Sequence, residues 1–203
     1  MRTYTYYTPS RVSDNPALVF VFHGSGGDTQ QSRELFGYAF ETLAEEHGFL
    51  VMYPAGYKNH YNGCRKQAPY QANTLNIDDI GFMRALVDKF MATQNVNSAA
   101  VYATGFSNSG QMALRLALEA PELITAVALV STSIPADDNM DCVASGEPAA
   151  VLLMNGTGDP MNPYAGGKVA LYGLVGDRGD VISSKTSVLY WANLAGHTSA
   201  LKK

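Results

Sequence analysis

The stretch Gly105-Phe106-Ser107-Asn108-Ser109-Gly110 sets a serine between small residues two positions before and after it. It falls where an apolar run gives way to a helical pattern. A hydroxyl raised on such a strand-to-helix bend is exposed for nucleophilic attack, and small neighbours let strand and helix approach closely. The usual spacing is G-x-S-x-G, and Ser109 stands where the last glycine is expected. The competing reading is a serine N-cap on an ordinary helix. A helix starting here aims free N–H groups and its positive dipole end at a bound acyl group. The N–H of Asn108, directly after the serine, is the natural first oxyanion donor.

Two further motifs complement it. His23-Gly24-Ser25-Gly26-Gly27-Asp28 ends an earlier apolar run. Its glycines let a backbone N–H turn toward the nucleophile, and Ser25 is the candidate second oxyanion donor. His23 lies before the serine and beneath the loop, so it reads as a structural histidine bonded to the loop backbone. Asn155-Gly156-Thr157-Gly158-Asp159-Pro160 follows the run Ala149–Met154. A carboxylate there, Asp159, would orient a histidine and stabilise its imidazolium form. The alternative is a solvated turn aspartate.

A general base must complete the set, and the chain has four histidines: His23, His47, His60 and His197. The chain order Ser, Asp, His singles out His197. Geometry opposes that choice. The helix before His197 leaves the carboxyl edge of the sheet and, at about 1.5 Å per residue, descends roughly 18 Å. His197 therefore stays a weak candidate at the far edge. His60 shares a long loop with Tyr57, Tyr61 and Asn62. That loop is expected to line the cleft, with His60, Tyr61 and Asn62 touching substrate and Tyr53, Tyr57, Tyr61 and Tyr70 adding aromatic surface.

The elements that position these groups follow from periodicity. The apolar run Ala17–His23 reads as a strand buried on both faces, Phe49–Tyr53, Ala99–Ala103, Ile124–Val130 and Ala149–Met154 as further strands, and Arg2–Tyr7 as an edge strand. Helical spacing covers 31–46, a segment opened by Asp78 and Asp79, Ser107–Ala120 and Ser184–Ala195. Asp78 and Asp79 fit a helix N-terminus. The acidic stretch 137–141 lacks the glycine turn and terminal glutamate of a calcium loop. Strands alternating with helices specify an α/β fold, a mostly parallel sheet with helices on both faces. Ligands in such sheets bind beyond the carboxyl ends of the strands, where all three motifs fall.

These stretches, with Gly48–Pro54, Asn76-Ile77-Asp78-Asp79-Ile80-Gly81-Phe82, Val101–Asn108 and Pro163-Tyr164-Ala165-Gly166-Gly167, resemble one esterase family. It contains polyhydroxybutyrate depolymerases, feruloyl esterases and acetylxylan esterases of the α/β-hydrolase fold. The resemblance implies a serine carboxyl-ester hydrolase with Ser107 as nucleophile and Asp159 as acid. It needs no cofactor or metal, and it implies a secreted or periplasmic location. A non-catalytic hydrolase-like binding protein is the rival. Relatives continue past the last helix with a strand and a histidine-bearing segment that have no match here. Either the 203 residues are a piece of a single α/β-hydrolase domain, shortened at its C-terminal end by the last strand and helix, or the base is lost.

Composition narrows the partners. The chain is 46% hydrophobic, enough for a packed core, only 16% charged, and carries a net charge of −4. That balance argues against nucleic acid and anionic membranes, and the resemblance implies a small or polymeric ester as partner. No apolar run spans a bilayer, and the residues after Met1 do not form a secretory signal. Cys64 and Cys142 read as two buried or loop thiols, with a single bridge as the alternative. If 149–154 is the last strand, its open edge invites a homodimer.

Overall fold

In strand β2 (Leu18–Phe22), Leu18, Phe20 and Phe22 turn to one face while Val19 and Val21 turn to the other, and both sets find a core. A computed structural model describes residues 1–170 and 176–197 of the chain. β2 lies inside a six-stranded sheet with β1 (Tyr4–Tyr7), β3 (Leu50–Pro54), β4 (Val101–Phe106), β5 (Ala126–Val130) and β6 (Ala150–Met154), in the order β1-β3-β2-β4-β5-β6. Only β1 runs antiparallel, pairing Tyr4 with Pro54 at one edge. The rest are parallel, and β6 forms the opposite edge among the described residues.

Helices cover both faces, as the pattern predicts. On one, α4 (Asp79–Gln94), α5 (Asn108–Glu119) and α6 (Ser184–Leu194) pack Met83, Leu86, Phe90, Leu114, Leu116 and Trp191 against the sheet. Each buried leucine or phenylalanine there is worth about 1.5–3 kcal/mol of transfer free energy. On the other face, Phe40 and Ala44 of α2 (Ala39–His47) and the preceding Phe36 cover Val21, Val51 and Tyr53. A short α3 (Gln71–Thr74) lies within the long loop, and a two-stranded ladder joins β7 (Gly167–Lys168) to β8 (Asp180–Val181).

Two expectations need correction. The helical spacing over 31–46 is not one helix. It splits into α1 (Thr29–Leu35) and α2, because Gly37 and Tyr38 both take left-handed backbone at φ 57°. The break swings Phe36 and Phe40 onto the same patch, edge to face at 5.3 Å, and an Arg33–Glu41 ion pair spans it at 2.6 Å. The two cysteines are not free thiols. Cys64 and Cys142 form a disulfide across 78 residues, tying the long loop to the segment before β6.

Asp78 and Asp79 divide their work. Asp78 caps α4 by accepting the Gly81 N–H at 2.7 Å. Asp79 is buried, pairs with Arg2 at 2.5 Å and accepts the Asn62 N–H at 2.7 Å. It anchors the long loop and the N-terminus, a role beyond the helix start its position suggests.

Candidate active site

Parallel strands bring their carboxyl ends to one edge, so β2, β4, β5 and β6 deliver His23, Ser107, Ser131 and the 155–159 turn to the same side. Ser107 takes φ 60° and ψ −114°, a left-handed backbone that costs a non-glycine residue about 1–3 kcal/mol. Fixed bonds hold it there. Its N–H donates to the Val130 carbonyl at 2.9 Å, and its own carbonyl accepts from Thr132 Oγ1 at 3.0 Å and the Gln111 N–H at 3.1 Å.

Close packing forces glycine on both sides of the bend. A Cβ on Gly105 would lie 2.3 Å from the Ser109 carbonyl carbon, and one on Gly110 would lie 2.1 Å from Thr132 Oγ1. Ser109 departs from the usual glycine without harm. Its buried hydroxyl accepts the Phe106 N–H at 2.7 Å and donates to the Phe106 carbonyl at 2.8 Å, locking the turn.

Asn108 begins α5, so its N–H has no carbonyl partner four residues back in the helix. Its buried side chain holds the long loop, accepting the Tyr61 N–H at 3.2 Å and donating to the Tyr61 carbonyl at 3.4 Å. Ser25 sits in the glycine loop that borders the same cavity as Ser107. Beneath it His23 is buried, as expected of a structural histidine. Its Nε2 accepts the Gly56 N–H at 2.9 Å, so Nδ1 carries the proton and donates to the Gly24 carbonyl at 2.8 Å. Burial pushes its pKa down, which keeps the ring neutral.

Asp159 stands beyond β6 with both oxygens engaged. Oδ2 accepts from the Ser131 hydroxyl, and Oδ1 accepts the N–H groups of Met161 and Asn162 at 2.9 and 3.0 Å. Burial raises its pKa, but the Asn162, Ser131 and Met161 donors outweigh burial and hold the carboxyl below the usual range. Asn155 ties this turn to the nucleophile's side. It accepts the Thr132 N–H at 2.9 Å and donates to the Thr132 carbonyl, Ser133 Oγ and Ser184 Oγ. Ser131, Thr132 and Asn155 thus frame the site, although only Asn155 belongs to a motif visible in sequence. The hydroxyls follow β5 with no pattern of their own.

Ser107 opens into a cavity of about 710 Å³ shared with His23, Ser25, Tyr70, Met161 and Arg178, a volume that suits a small organic ligand. Several expected contacts are not there. Tyr61 is fully buried, its hydroxyl donating to the Pro54 carbonyl at 2.7 Å, and Asn62 is buried with its amide on Asn76 Oδ1 and the Ile77 carbonyl. Both build the loop's interior and neither reaches the cavity. Tyr53 is equally buried beside Glu41, so among the four tyrosines expected in the cleft only Tyr70 lines it. His60 stands behind the wall. It stacks on Tyr70 with ring centroids 4.1 Å apart and lies 3.0 Å from Ser25 Oγ.

His197 lies at the other end of the sheet. It borders a separate depression with Pro148, Ala149 and Trp191, at the amino end of β6. The descent of α6 carries it there, which removes it as the base for this Ser107–Asp159 arrangement. Among the described residues, none of the four imidazoles is hydrogen-bonded to Ser107 or Asp159.

Comparison with known proteins places the chain in company. Residues 2–161 match the family described as Esterase PHB depolymerase. NocK of Nocardia uniformis subsp. tsuyamanensis, which carries an esterase name, is 32% identical over 73% of this chain and 42% of its own. Feruloyl esterase B of Thermothelomyces thermophilus is 28% identical over 74% of this chain and 49% of its own. The chain thus spans less than half the length of these two relatives. A carboxylesterase crystal structure from Bacillus cereus superposes with a TM-score of 0.58 at 17% identity, covering 100% of this chain and 83% of that one, a likeness of α/β-hydrolase fold.

Proposed function

The chain belongs to the esterase PHB depolymerase family, and from that premise we propose that it is the nucleophile-bearing part of a serine carboxyl-ester hydrolase. The observation that carries the reading is Ser107 itself, held at φ 60° on the bend between β4 and α5 and open to the cavity. Its hydroxyl attacks the ester carbonyl. The N–H groups of Asn108 and Ser25 receive the charge that develops on the carbonyl oxygen, and the alcohol leaves an acyl group on Ser107 that water then clears. Asp159, ionised and pinned by three donors, aligns the imidazole that takes the serine proton.

That imidazole is not among the chain's own four, none of which meets Ser107 or Asp159. The polypeptide alone is therefore a weak catalyst, limited to what oxyanion donors and binding supply, roughly 10³–10⁴-fold over water. The same observation favours a second reading, a non-catalytic protein that retains the cavity without the base. The Cys64–Cys142 bridge supports an oxidising compartment, outside the cytoplasm.

Fluorophosphonate labelling separates the two readings, because it requires an activated serine. Labelling of the parent that disappears in Ser107→Ala supports the hydrolase. A folded parent that takes no label supports the binder, or a fragment without its base. Rates on p-nitrophenyl acetate, methyl ferulate and an acyl thioester then rank the ester classes.

A further inference from the structure

Among the described residues, Arg65 is a buried cation with no carboxylate to neutralise it. Only 4% of the residue is exposed, its Nε has no hydrogen-bond partner, and its side chain borders the Ser107 cavity. Arg178 borders the same cavity. Its Nε donates to the Tyr70 hydroxyl at 2.6 Å and its Nη1 to the Gly176 carbonyl at 2.8 Å. Among the described residues neither arginine forms an ion pair. The one carboxylate on the cavity wall, Glu34, accepts instead from Gln30 Nε2 at 2.8 Å.

Such an arrangement is costly unless an anion completes it. A buried charge left unpaired is strongly destabilising. Burial pushes the Arg65 pKa down to about 10, Tyr70 opposing and Arg178 adding to the fall, so its guanidinium stays protonated at neutral pH. The backbone beside Arg65 is fixed before any ligand arrives. Cys64 is bridged to Cys142, and Arg65 itself pairs with Met140 across the adjoining segment. Preorganisation of this kind lowers the entropy lost on binding.

We propose that Arg65 and Arg178 form a carboxylate-binding subsite in the Ser107 cavity, so that the ester held there carries a free carboxylate away from its reacting carbonyl. The planar guanidinium fork matches a carboxylate in two parallel hydrogen bonds. The ester part of this inference rests on the reading of Ser107 as nucleophile, but the carboxylate part does not.

The test is calorimetric titration of the full chain carrying Ser107→Ala, which cannot form an acyl-enzyme, with monomethyl glutarate and with dimethyl glutarate. The subsite predicts that the monoacid binds at least about 10-fold tighter at low salt, with the preference shrinking as ionic strength rises. Arg65→Met in that background abolishes the preference and Arg178→Gln reduces it, while a purely structural role for either would weaken both ligands alike. Equal affinity for the two esters, or a preference unchanged in both arginine variants, overturns the proposal. Should Arg65→Met fail to fold, the half-buried Arg178→Gln decides alone. Fluorophosphonate labelling of the parent keeps the two readings apart. A labelled Ser107 without carboxylate preference sinks the subsite only, and an unlabelled one with the preference upholds the subsite and removes only an activated serine from this chain.

Discussion

The Ser131 hydroxyl, at the end of β5, donates to Oδ2 of Asp159 beyond the end of β6. With the Met161 and Asn162 N–H groups on Oδ1, it offsets the burial that would raise the carboxyl and holds it below the usual range. A carboxyl depressed in the folded state contributes stability that is fully present above the unfolded value of about 3.9 and lost as pH falls through the folded value. Ser131→Ala should move Asp159 up toward the ordinary value, read from the carboxyl carbon in an NMR titration. It should also cost about 1 kcal/mol at neutral pH, with parent and variant converging in acid. An unmoved Asp159 titration would show that the backbone donors alone hold it.

Ser107 stores backbone strain that glycine would relieve. Its φ of 60° is ordinary for glycine and costs a serine about 1–3 kcal/mol, against roughly 0.5–1 kcal/mol lost to the greater freedom of unfolded glycine. Ser107→Gly should therefore be more stable than the parent by about 1 kcal/mol, while taking no fluorophosphonate label. Urea denaturation of both proteins measures the difference. A destabilised glycine variant would mean that the bend is relaxed and that its geometry was not selected for an exposed hydroxyl.

Much of this frame was legible in the residues. The runs Ala17–His23 and Phe49–Tyr53 marked β2 and β3, because burial on both faces leaves that trace, and Ala149–Met154 marked β6 although one of its faces is exposed. Ser107 came from a motif whose small residues answer local steric needs, now visible as the tight approaches at Gly105 and Gly110, and Asp159 from its place just beyond the strand 150–154. The errors share a different cause. Tyr61 and Asn62 looked like cleft residues because they are polar or aromatic and sit on a long loop. Whether such a loop points its side chains out or folds them under depends on partners distant in sequence, here Asn108, Asp79 and Cys142. Arg65 was invisible for the same reason, since a lone arginine carries no signal of burial.

The disulfide closes a long loop, and in the chain-entropy account its 78-residue span corresponds to about 4.5 kcal/mol. Cys142→Ser should lower stability by about 2–4 kcal/mol and loosen the segment that carries Arg65. Thermal unfolding with and without reductant checks the first effect, because reductant should lower the parent's midpoint and leave the variant's unchanged. A parent insensitive to reductant while folded and oxidised by mass would count against the bridge as a stabiliser.

The Arg2–Asp79 pair makes a pH-dependent prediction of the opposite sign to Asp159. Burial raises Asp79 despite Arg2 and the Asn62 N–H, so the folded state holds this proton more tightly than the unfolded chain. Its contribution to stability therefore falls as pH rises from the unfolded value of about 3.9 through the folded one. Removing the arginine leaves a buried carboxylate without its partner at neutral pH. Arg2→Ala should cost about 3 kcal/mol at pH 7 and clearly less near pH 4, where Asp79 takes up its proton. Denaturation series at the two pH values decide it, and an equal cost at both would mean that Arg2 acts through packing on Phe82, over which its guanidinium sits at 4.6 Å.

Among the described residues, strand β6 presents an open edge and an apolar face together. Leu152 and Met154 are 57% and 55% exposed, and the parallel register sets them beside Ala128 and Val130 on the face that α2 covers only near β2 and β3. Tyr102, exposed on β4, shares that face through its pairing with Val19 and Ala126. Unpaired strand N–H and C=O groups beside exposed leucine and methionine form a template for a second copy of the same strand. The isolated chain should therefore associate through β6, as a dimer or larger species whose share grows with concentration in light scattering. Leu152→Lys places a charge on that face without touching the core, and it should shift the population to monomer at unchanged or slightly higher stability. A parent that remains monomeric at high micromolar concentration, with β6 still uncovered by hydrogen exchange, would refute this use of the edge.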